Sequence, residues 1–262
     1  MKSTFILSLL FCAFSLVACS SQVDTKDYEA TFVSLSPNDH LDEMEETIQN
    51  AFNQSFMQQD ITPLENVLKY LDDMEANEWV TYWKAFALYR KSIFHTVGGA
   101  IEQSEASIAQ ALETLKTAPS KTSEHYALEG MLLSFSTQFA SGMKAGIVAQ
   151  KASSAFKKAI KLDENNMRAH YGMGSQDFYT PEKYGGGKKV EAYLKTAIAL
   201  DDQHIDNPVM PTWGKDEAYE ILLRYYIKKE QFEQAKSLFQ QAMEAYPGHY
   251  QLTQVGAQLV GK

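Results

Sequence analysis

Cysteine is nearly absent from this sequence, which contains two in 262 residues. Both of them, Cys12 and Cys19, lie within the first nineteen positions. The rest of the chain therefore offers no thiol for a disulfide, a thiolate metal site or a cysteine nucleophile.

Basic charge is also scarce. The chain has 24 lysine and arginine residues against 33 aspartate and glutamate residues, for a net charge of −9. Because a surplus of negative charge repels phosphate, this composition argues against electrostatic binding to nucleic acid or to an anionic lipid surface.

Sequence signatures of catalysis are missing as well. The six histidines form no H-E-x-x-H pair, and the chain has no G-x-S-x-G stretch. One group of residues has the side chains that a divalent cation uses but lacks regular ligand spacing, so a solvated loop is the favoured interpretation: Asp201, Asp202, His204 and Asp206. We predict no enzymatic activity, no cofactor and no metal.

One long apolar run stands out, at the N-terminus. Lys2 precedes the apolar stretch from Phe5 to Phe14, which is too short to span a bilayer as a helix and is typical of a cleaved signal. The following "LVAC" resembles the lipobox of bacterial lipoproteins, which implies cleavage after Ala18 and a lipid on Cys19. Ser20, in place of aspartate, resembles the pattern of lipoproteins sent to the outer membrane. We expect a signal peptide at 1–18 and a polar, lipidated tether at 19–40.

Beyond residue 40 the apolar residues recur at spacings of three and four, and no stretch shows sustained alternation. This period predicts an all-α protein. Residues 41–118 supply weakly patterned helix pairs, which we interpret as degenerate helical hairpins, and residues 119–262 carry clearer repeats.

The clearest repeat runs from Asp216 to Pro247 and resembles a tetratricopeptide repeat (TPR). The resemblance implies that small and aromatic residues pack two helices together at these positions: Tyr219, Leu222, Tyr226, Ala235, Phe239, Ala242 and Pro247. Gly174 and Ala197 match the same pattern in a preceding copy. We expect three to five TPR-like hairpins stacked into a short right-handed solenoid, with a concave face built from the first helices.

A glycine-rich insertion at 180–188 interrupts the preceding copy. It contains Pro181, Tyr184 and the glycines Gly185, Gly186 and Gly187. It fails the P-loop pattern, because Glu182 stands at the first glycine position and Lys189 at the Ser/Thr position. We favour a structural turn that Thr180 caps and Tyr184 anchors, while an anion held by Lys188 and Lys189 stays open as the alternative.

The stretches "DFYTPEKYGGGKK" and "PTWGKDEAYEILLRYY" together resemble the TPR lipoproteins of bacterial envelopes, including the TPR-containing component associated with TRAP transporters. The similarity covers about residues 120–250. It implies an envelope adaptor that binds another protein, or an accessory that transfers a small apolar ligand to a solute-binding partner of a TRAP-type uptake system.

Seven aromatic residues have two interpretations. They either pack between helices, which we favour, or line a groove for a peptide or an apolar ligand: Trp79, Tyr82, Trp83, Phe86, Tyr126, Phe135 and Tyr171. We predict a non-enzymatic protein-protein adaptor, with the ligand accessory as the alternative. The sequence leaves the oligomeric state open.

Overall fold

The structure, a computed structural model, describes residues 40–201 and 207–262. These two ranges contain eleven α-helices and no strand, which confirms the all-α prediction. The helices are α1 (Met44–Gln58), α2 (Thr62–Asp73), α3 (Glu78–Val97), α4 (Ile101–Lys116), α5 (Ser123–Ser136), α6 (Met143–Leu162), α7 (Met167–Tyr179), α8 (Val190–Ala199), α9 (Lys215–Lys228), α10 (Phe232–Ala245) and α11 (Tyr250–Gly256). None of these helices combines the length and apolarity that crossing a membrane requires. The predicted signal peptide, the tether as far as residue 39 and Cys19 lie outside the described ranges.

The helices form five consecutive hairpins: α1 with α2, α3 with α4, α5 with α6, α7 with α8, and α9 with α10. The first helix of each hairpin also packs against the first helix of the next one. The final helix, α11, covers α9 and α10 at the end of the stack. Because α4 contacts α5, the stack continues across residue 118 without a break.

Small residues let paired helices approach closely. A Cβ at Gly174 on α7 would lie 2.6 Å from the Leu194 side chain on α8, so only glycine fits this crossing. Most of the predicted repeat-packing positions are buried: Tyr219, Leu222, Tyr226, Ala235, Ala242, Gly174 and Ala197. Phe239 is half-buried against α11, where a Cβ at Gly256 would collide with its ring. Pro247 is exposed and follows the end of α10 rather than packing.

Phe156 of α6 occupies a slot between two neighbouring hairpins. A Cβ at Gly130 on α5 would lie 2.5 Å from its ring, and a Cβ at Gly172 on α7 would lie 2.2 Å from it. The ring itself is fully buried. Two glycines on separate helices therefore make room for one aromatic side chain and bring three helices into van der Waals contact.

Helix α3 contacts the four helices α1, α2, α4 and α5. It begins after Asn77, whose side-chain oxygen accepts hydrogen bonds from the backbone N–H groups of Trp79 and Val80. Its buried residues cover most of its circumference, which is the pattern of a helix enclosed by protein. Helix α3 thus carries three of the predicted aromatic residues, Tyr82, Trp83 and Phe86, into the interior.

Candidate functional site

We call the surface formed by α1, α3, α5, α7 and α9 the inner face, and the non-helical residues Asn207–Gly214 the crossing segment. The crossing segment precedes α9 and contacts side chains of α1, α3 and α7. The inner face, where a TPR solenoid presents its concave binding surface, therefore already holds a piece of the same chain.

Trp213 anchors the crossing segment to α3. Its ring stacks on the Phe86 ring, with centroids 5.1 Å apart and an interplanar angle of 21°. Its indole N–H donates a hydrogen bond to the Tyr82 hydroxyl at 3.0 Å. All three side chains are buried, and burial raises the pKa of Tyr82 well above its ordinary value, which keeps the phenol neutral.

A buried ion pair holds the carbonyl of the anchor residue. The Arg168 guanidinium on α7 donates from Nε and Nη2 to the two carboxylate oxygens of Glu124 on α5, at 2.5 and 2.7 Å. Its Nη1 donates to the Trp213 carbonyl oxygen at 3.2 Å. Burial disfavours the guanidinium charge, but the Glu124 carboxylate outweighs this effect and raises the pKa of Arg168. Asn166 donates to the same carboxylate at 2.7 Å and completes its set of hydrogen bonds.

Two further contacts hold the main chain of the crossing segment. The Trp83 indole N–H donates to the Val209 carbonyl oxygen at 3.1 Å. The Glu45 carboxylate on α1 accepts from the Thr212 backbone N–H at 2.6 Å and from its hydroxyl at 2.8 Å. The first hairpin is therefore joined across the inner face to the segment that leads into the fifth.

A cleft lies on each side of the crossing segment. The first, of about 330 Å³, runs between the segment and α1, and carboxylates from Asp42 to Glu46 line it beside Arg90. The second, of about 440 Å³, has apolar walls at Trp79, Leu162 and Met210. Neither cleft is a closed cavity, so the inner face keeps accessible surface next to the segment.

Side chains of α3 and α9 also meet directly on the inner face, outside the crossing segment. Arg90 on α3 approaches Glu217 on α9 at 3.8 Å, and its guanidinium lies over the Phe86 ring. Burial, followed by the charge of Asp216, raises the pKa of Glu217 well above its usual range. Burial likewise raises the pKa of Tyr89, next to Arg90, to about 12. This part of the face is a packed layer of aromatic and charged groups, not an open groove.

The structure brings most of the seven predicted groove residues together but encloses several of them. Tyr82, Trp83, Phe86 and Tyr171 are buried, so packing describes them as the structure stands. Trp79 and Phe135 are half-buried and keep some surface exposed. Phe135 lies on the inner face, where its ring meets Tyr89 at 5.4 Å.

Tyr126 does not belong with the other six aromatic residues. It packs in a separate small cluster with Ala127, Ala159 and Ala169, and the Lys158 ammonium lies 4.0 Å above its ring centroid. Tyr126 does not fit the predicted groove, because the other six residues belong to the main core cluster while Tyr126 packs where α5 meets α6.

The glycine-rich insertion has no free glycine donors for a phosphate. Gly185, Gly186 and Gly187 donate their N–H groups to the carbonyl oxygens of Glu182, Pro181 and Asp177 respectively. A Cβ at Gly186 would lie 1.9 Å from the Thr180 carbonyl oxygen, and Gly185 and Gly187 have positive φ. The insertion is therefore a folded turn whose conformation requires glycine.

Two details of the predicted turn were wrong. Tyr184 is 73% exposed and anchors nothing, because the insertion turns it outward beneath the Lys183 ammonium. Thr180 is the C-cap of α7 and does not cap the short turn Glu182–Tyr184, which follows Pro181 instead. The N-cap residue of α8 is Lys189, and the Asp177 carboxylate accepts its backbone N–H at 2.6 Å. This carboxylate occupies the position that the anion hypothesis gave to a bound ligand.

The described residues contain no group of three or more histidine, cysteine, aspartate or glutamate side chains arranged to hold a metal ion. Three members of the acidic loop considered above, Asp202, His204 and Asp206, lie outside those residues.

Motifs and periodicity do not reveal the side chains that fix the crossing segment, namely Glu45, Glu124, Arg168 and Trp213. Trp213 stands out in the sequence only as part of a family pattern. A signal was present for Glu124, because it places a charge in the first turn of a helix whose following residues are largely apolar. Charges in such positions are expected to pair when buried.

Comparisons with known proteins support the fold and go no further. No protein-family model matches the chain, and no curated protein matches it significantly. Among solved structures, a thermophilic TPR protein from Thermus thermophilus is similar with a TM-score of 0.54 and 16% identity, covering 81% of this chain and 99% of that one. The HusA haemophore from Porphyromonas gingivalis is similar with a TM-score of 0.53 and 15% identity, covering 74% of this chain and 96% of that one. Together with the five stacked hairpins, these similarities identify the architecture as an all-α solenoid of the TPR type.

Proposed function

We propose that the chain is a non-enzymatic adaptor that binds other proteins in the bacterial cell envelope, anchored through a lipid on Cys19 at the periplasmic side of the outer membrane. One observation carries the adaptor part: the inner face holds an irregular polypeptide through its main chain as well as through a side chain. Trp83 and Arg168 donate to carbonyl oxygens, and Glu45 accepts a backbone N–H. Such groups suit a second polypeptide, with main-chain contacts supplying affinity and an aromatic pocket supplying selectivity.

The envelope part rests on the N-terminal sequence. The apolar stretch, "LVAC" and Ser20 resemble a lipoprotein signal, and the acidic chain has no basic surplus to hold it on anionic lipid. A Cys19→Ala variant tests this part, because it should leave the protein out of the membrane fraction of a producing cell. Equal membrane association of the variant and the original chain would overturn the anchor.

The adaptor part is tested by photo-crosslinking in intact envelopes. A photoreactive residue replaces Glu46, an exposed residue lining the first cleft, and a matched one replaces Lys144, exposed on α6 away from the inner face. We expect a discrete adduct with one protein from position 46, absent from position 144 and weakened when Asp42→Lys is added. Equal labelling from both positions would contradict an inner-face adaptor.

A second candidate is an accessory that binds or transfers a small apolar ligand for a TRAP-type uptake system, with a solute-binding protein as partner. The second cleft, with Trp79, Leu162 and Met210 in its wall, favours this candidate, and one protein of similar fold is described as a haemophore. Native mass spectrometry before and after denaturation distinguishes the two functions. A released small molecule of defined mass supports the accessory, and a ligand-free protein supports the adaptor.

A further inference from the structure

We infer that the crossing segment is an internal substitute for the partner, and that the inner face fits a proline-containing segment bearing a tryptophan. This inference rests on the proposed adaptor function and names both the partner's chemistry and its competitor. The crossing segment reads Asn-Pro-Val-Met-Pro-Thr-Trp-Gly, with Pro208 and Pro211 restricting its backbone.

The chemistry of the partner follows from what the face offers to each part of the segment. The Phe86 ring and the Tyr82 hydroxyl suit a flat aromatic ring with an N–H donor, and the Trp213 indole meets both requirements. The Glu45 carboxylate selects a backbone N–H together with a neighbouring hydroxyl. Trp83 and Arg168 provide donors for main-chain carbonyls and set no side-chain requirement. A helical segment could not offer these carbonyls, since its own backbone uses them.

Its contacts divide the crossing segment into a buried anchor and an accessible arm. Trp213 is 8% exposed and Pro211 is buried with it, whereas Pro208 and Thr212 are exposed and Val209 and Met210 are half-buried. A cleft flanks the arm on each side, so a second polypeptide can reach the polar contacts of the arm before the anchor moves. Displacement therefore begins at the contacts between Glu45 and the exposed Thr212 and ends with exchange of one indole for another on Phe86.

Covalent attachment gives the crossing segment an advantage over any partner. An internal segment of this length acts at an effective concentration in the millimolar range, so a free competitor binds the unaltered chain weakly. Weakening the internal segment should raise the affinity for a matching peptide by roughly tenfold or more, as expected when about 1.4 kcal/mol of competition is removed.

The test uses the full chain in mild detergent and a fluorescent synthetic peptide with the sequence of residues 207–214. We expect Trp213→Ala to bind this peptide at least roughly tenfold more tightly than the unaltered chain. The variant leaves uncovered the surface of Phe86 and Tyr82 on which the Trp213 ring packs. A control peptide with alanine in place of tryptophan should not bind. The double variant Trp213→Ala with Phe86→Ala should lose binding, because it lacks the Phe86 ring on which the peptide's indole would stack. A folded Trp213→Ala protein that fails to bind, or that binds no better than the unaltered chain, overturns the inference.

A milder variant covers the case in which Trp213→Ala fails to fold. Thr212→Val removes the hydroxyl hydrogen bond to Glu45 at an exposed position and keeps the anchor. It should bind the peptide more tightly than the unaltered chain, by less than the anchor variant would, and equal affinities would overturn the inference. The photo-crosslinking result stands apart, since an adduct at position 46 with no peptide binding would leave the adaptor function intact and refute the internal competitor alone.

Discussion

The Arg168 guanidinium on α7 and the Glu124 carboxylate on α5 form a bidentate ion pair in the interior, with Nε–Oε2 and Nη2–Oε1 distances of 2.5 and 2.7 Å. Their side chains are 3% and 1% exposed. Arg168→Met leaves the Glu124 charge buried without its main partner, so we expect the free energy of unfolding to fall by about 3–5 kcal/mol. Urea denaturation followed by circular dichroism measures this loss.

The matched controls separate the cost of burying an unpaired charge from the net contribution of the ion pair to the free energy of unfolding. Replacing both partners, Glu124→Leu with Arg168→Met, should restore part of the stability that the single variant loses. Lys116→Ala breaks an exposed pair with Glu113 and should change stability by less than about 1 kcal/mol. A loss from Arg168→Met no larger than that of the Lys116 control would contradict the prediction.

Gly172→Ala tests the slot that holds Phe156. The added Cβ would lie 2.2 Å from the ring, which must move within a full core, so we expect a loss of about 1–3 kcal/mol. Gly146→Ala on α6 is the control, because a Cβ there meets nothing within 4 Å. The helix preference of alanine should make that variant more stable by about 0.5–1 kcal/mol. Thermal unfolding of the two variants should therefore shift in opposite directions, and a shared direction would refute this account.

Asp177→Ala tests the hydrogen bond from Lys189 at the glycine-rich turn. The variant removes the acceptor for the Lys189 backbone N–H, and we expect it to cost about 0.5–1.5 kcal/mol, the net contribution of a typical intramolecular hydrogen bond. Glu164→Ala, at an exposed position with no cap, should stay within about 0.5 kcal/mol of the unaltered chain. If phosphate raised the melting temperature of the unaltered chain more than chloride of equal ionic strength, the anion hypothesis would return.

His249 predicts a pH dependence of stability. Its Nε2 lies 3.0 Å from an Asp216 carboxylate oxygen, and this hydrogen bond, with the charges of Asp216 and Glu220, raises the pKa of His249 against the opposing effect of burial. A raised pKa in the folded state means that the contribution is complete below the unfolded-state pKa, about 6.5, and is lost as pH rises through the folded-state value. Urea denaturation at pH values of about 5.5 and 8.5, on either side of this window, measures the effect. The free energy of unfolding should increase more from the higher to the lower pH in the original chain than in His249→Asn.

The comparison with His249→Asn is needed because His125 acts in the opposite sense. Burial lowers the pKa of His125, so acid destabilises the fold through that residue. Subtracting the pH dependence of the free energy of unfolding of His249→Asn from that of the original chain cancels the contribution of His125, which both proteins share. Identical pH profiles for the two proteins would show that the Asp216 contact contributes nothing.

The sequence predicted those parts of the fold that depend on local spacing. Ala235 and Ala242 lie two helical turns apart on one face, so the close approach of α9 and α10 could be inferred from one stretch of chain. The crossing segment could not be found this way, because Trp213 meets Tyr82 from 131 positions away and Arg168 meets Glu124 from 44. The spacing of apolar residues shows which residues share one face of a helix, so it cannot predict a contact between positions so far apart. For the same reason, the pattern identified Trp83 and Phe86 as aromatic neighbours but could not show what covers them.

The hydrogen bonds between Glu45 and Thr212 join residues 167 positions apart, which has a consequence for how the chain acquires its structure. A simple repeat array contacts only its neighbours and can fold outward from any hairpin while the ribosome is still adding the next. Here the contact between Glu45 of the first hairpin and Thr212 forms only after the fourth hairpin and the crossing segment have been synthesised. Such distant contacts slow folding, so the newly made N-terminal half waits with Trp83 and Phe86 uncovered. A nascent chain stopped before residue 207 should therefore expose these rings to chaperones, and one extended past Gly214 should protect them.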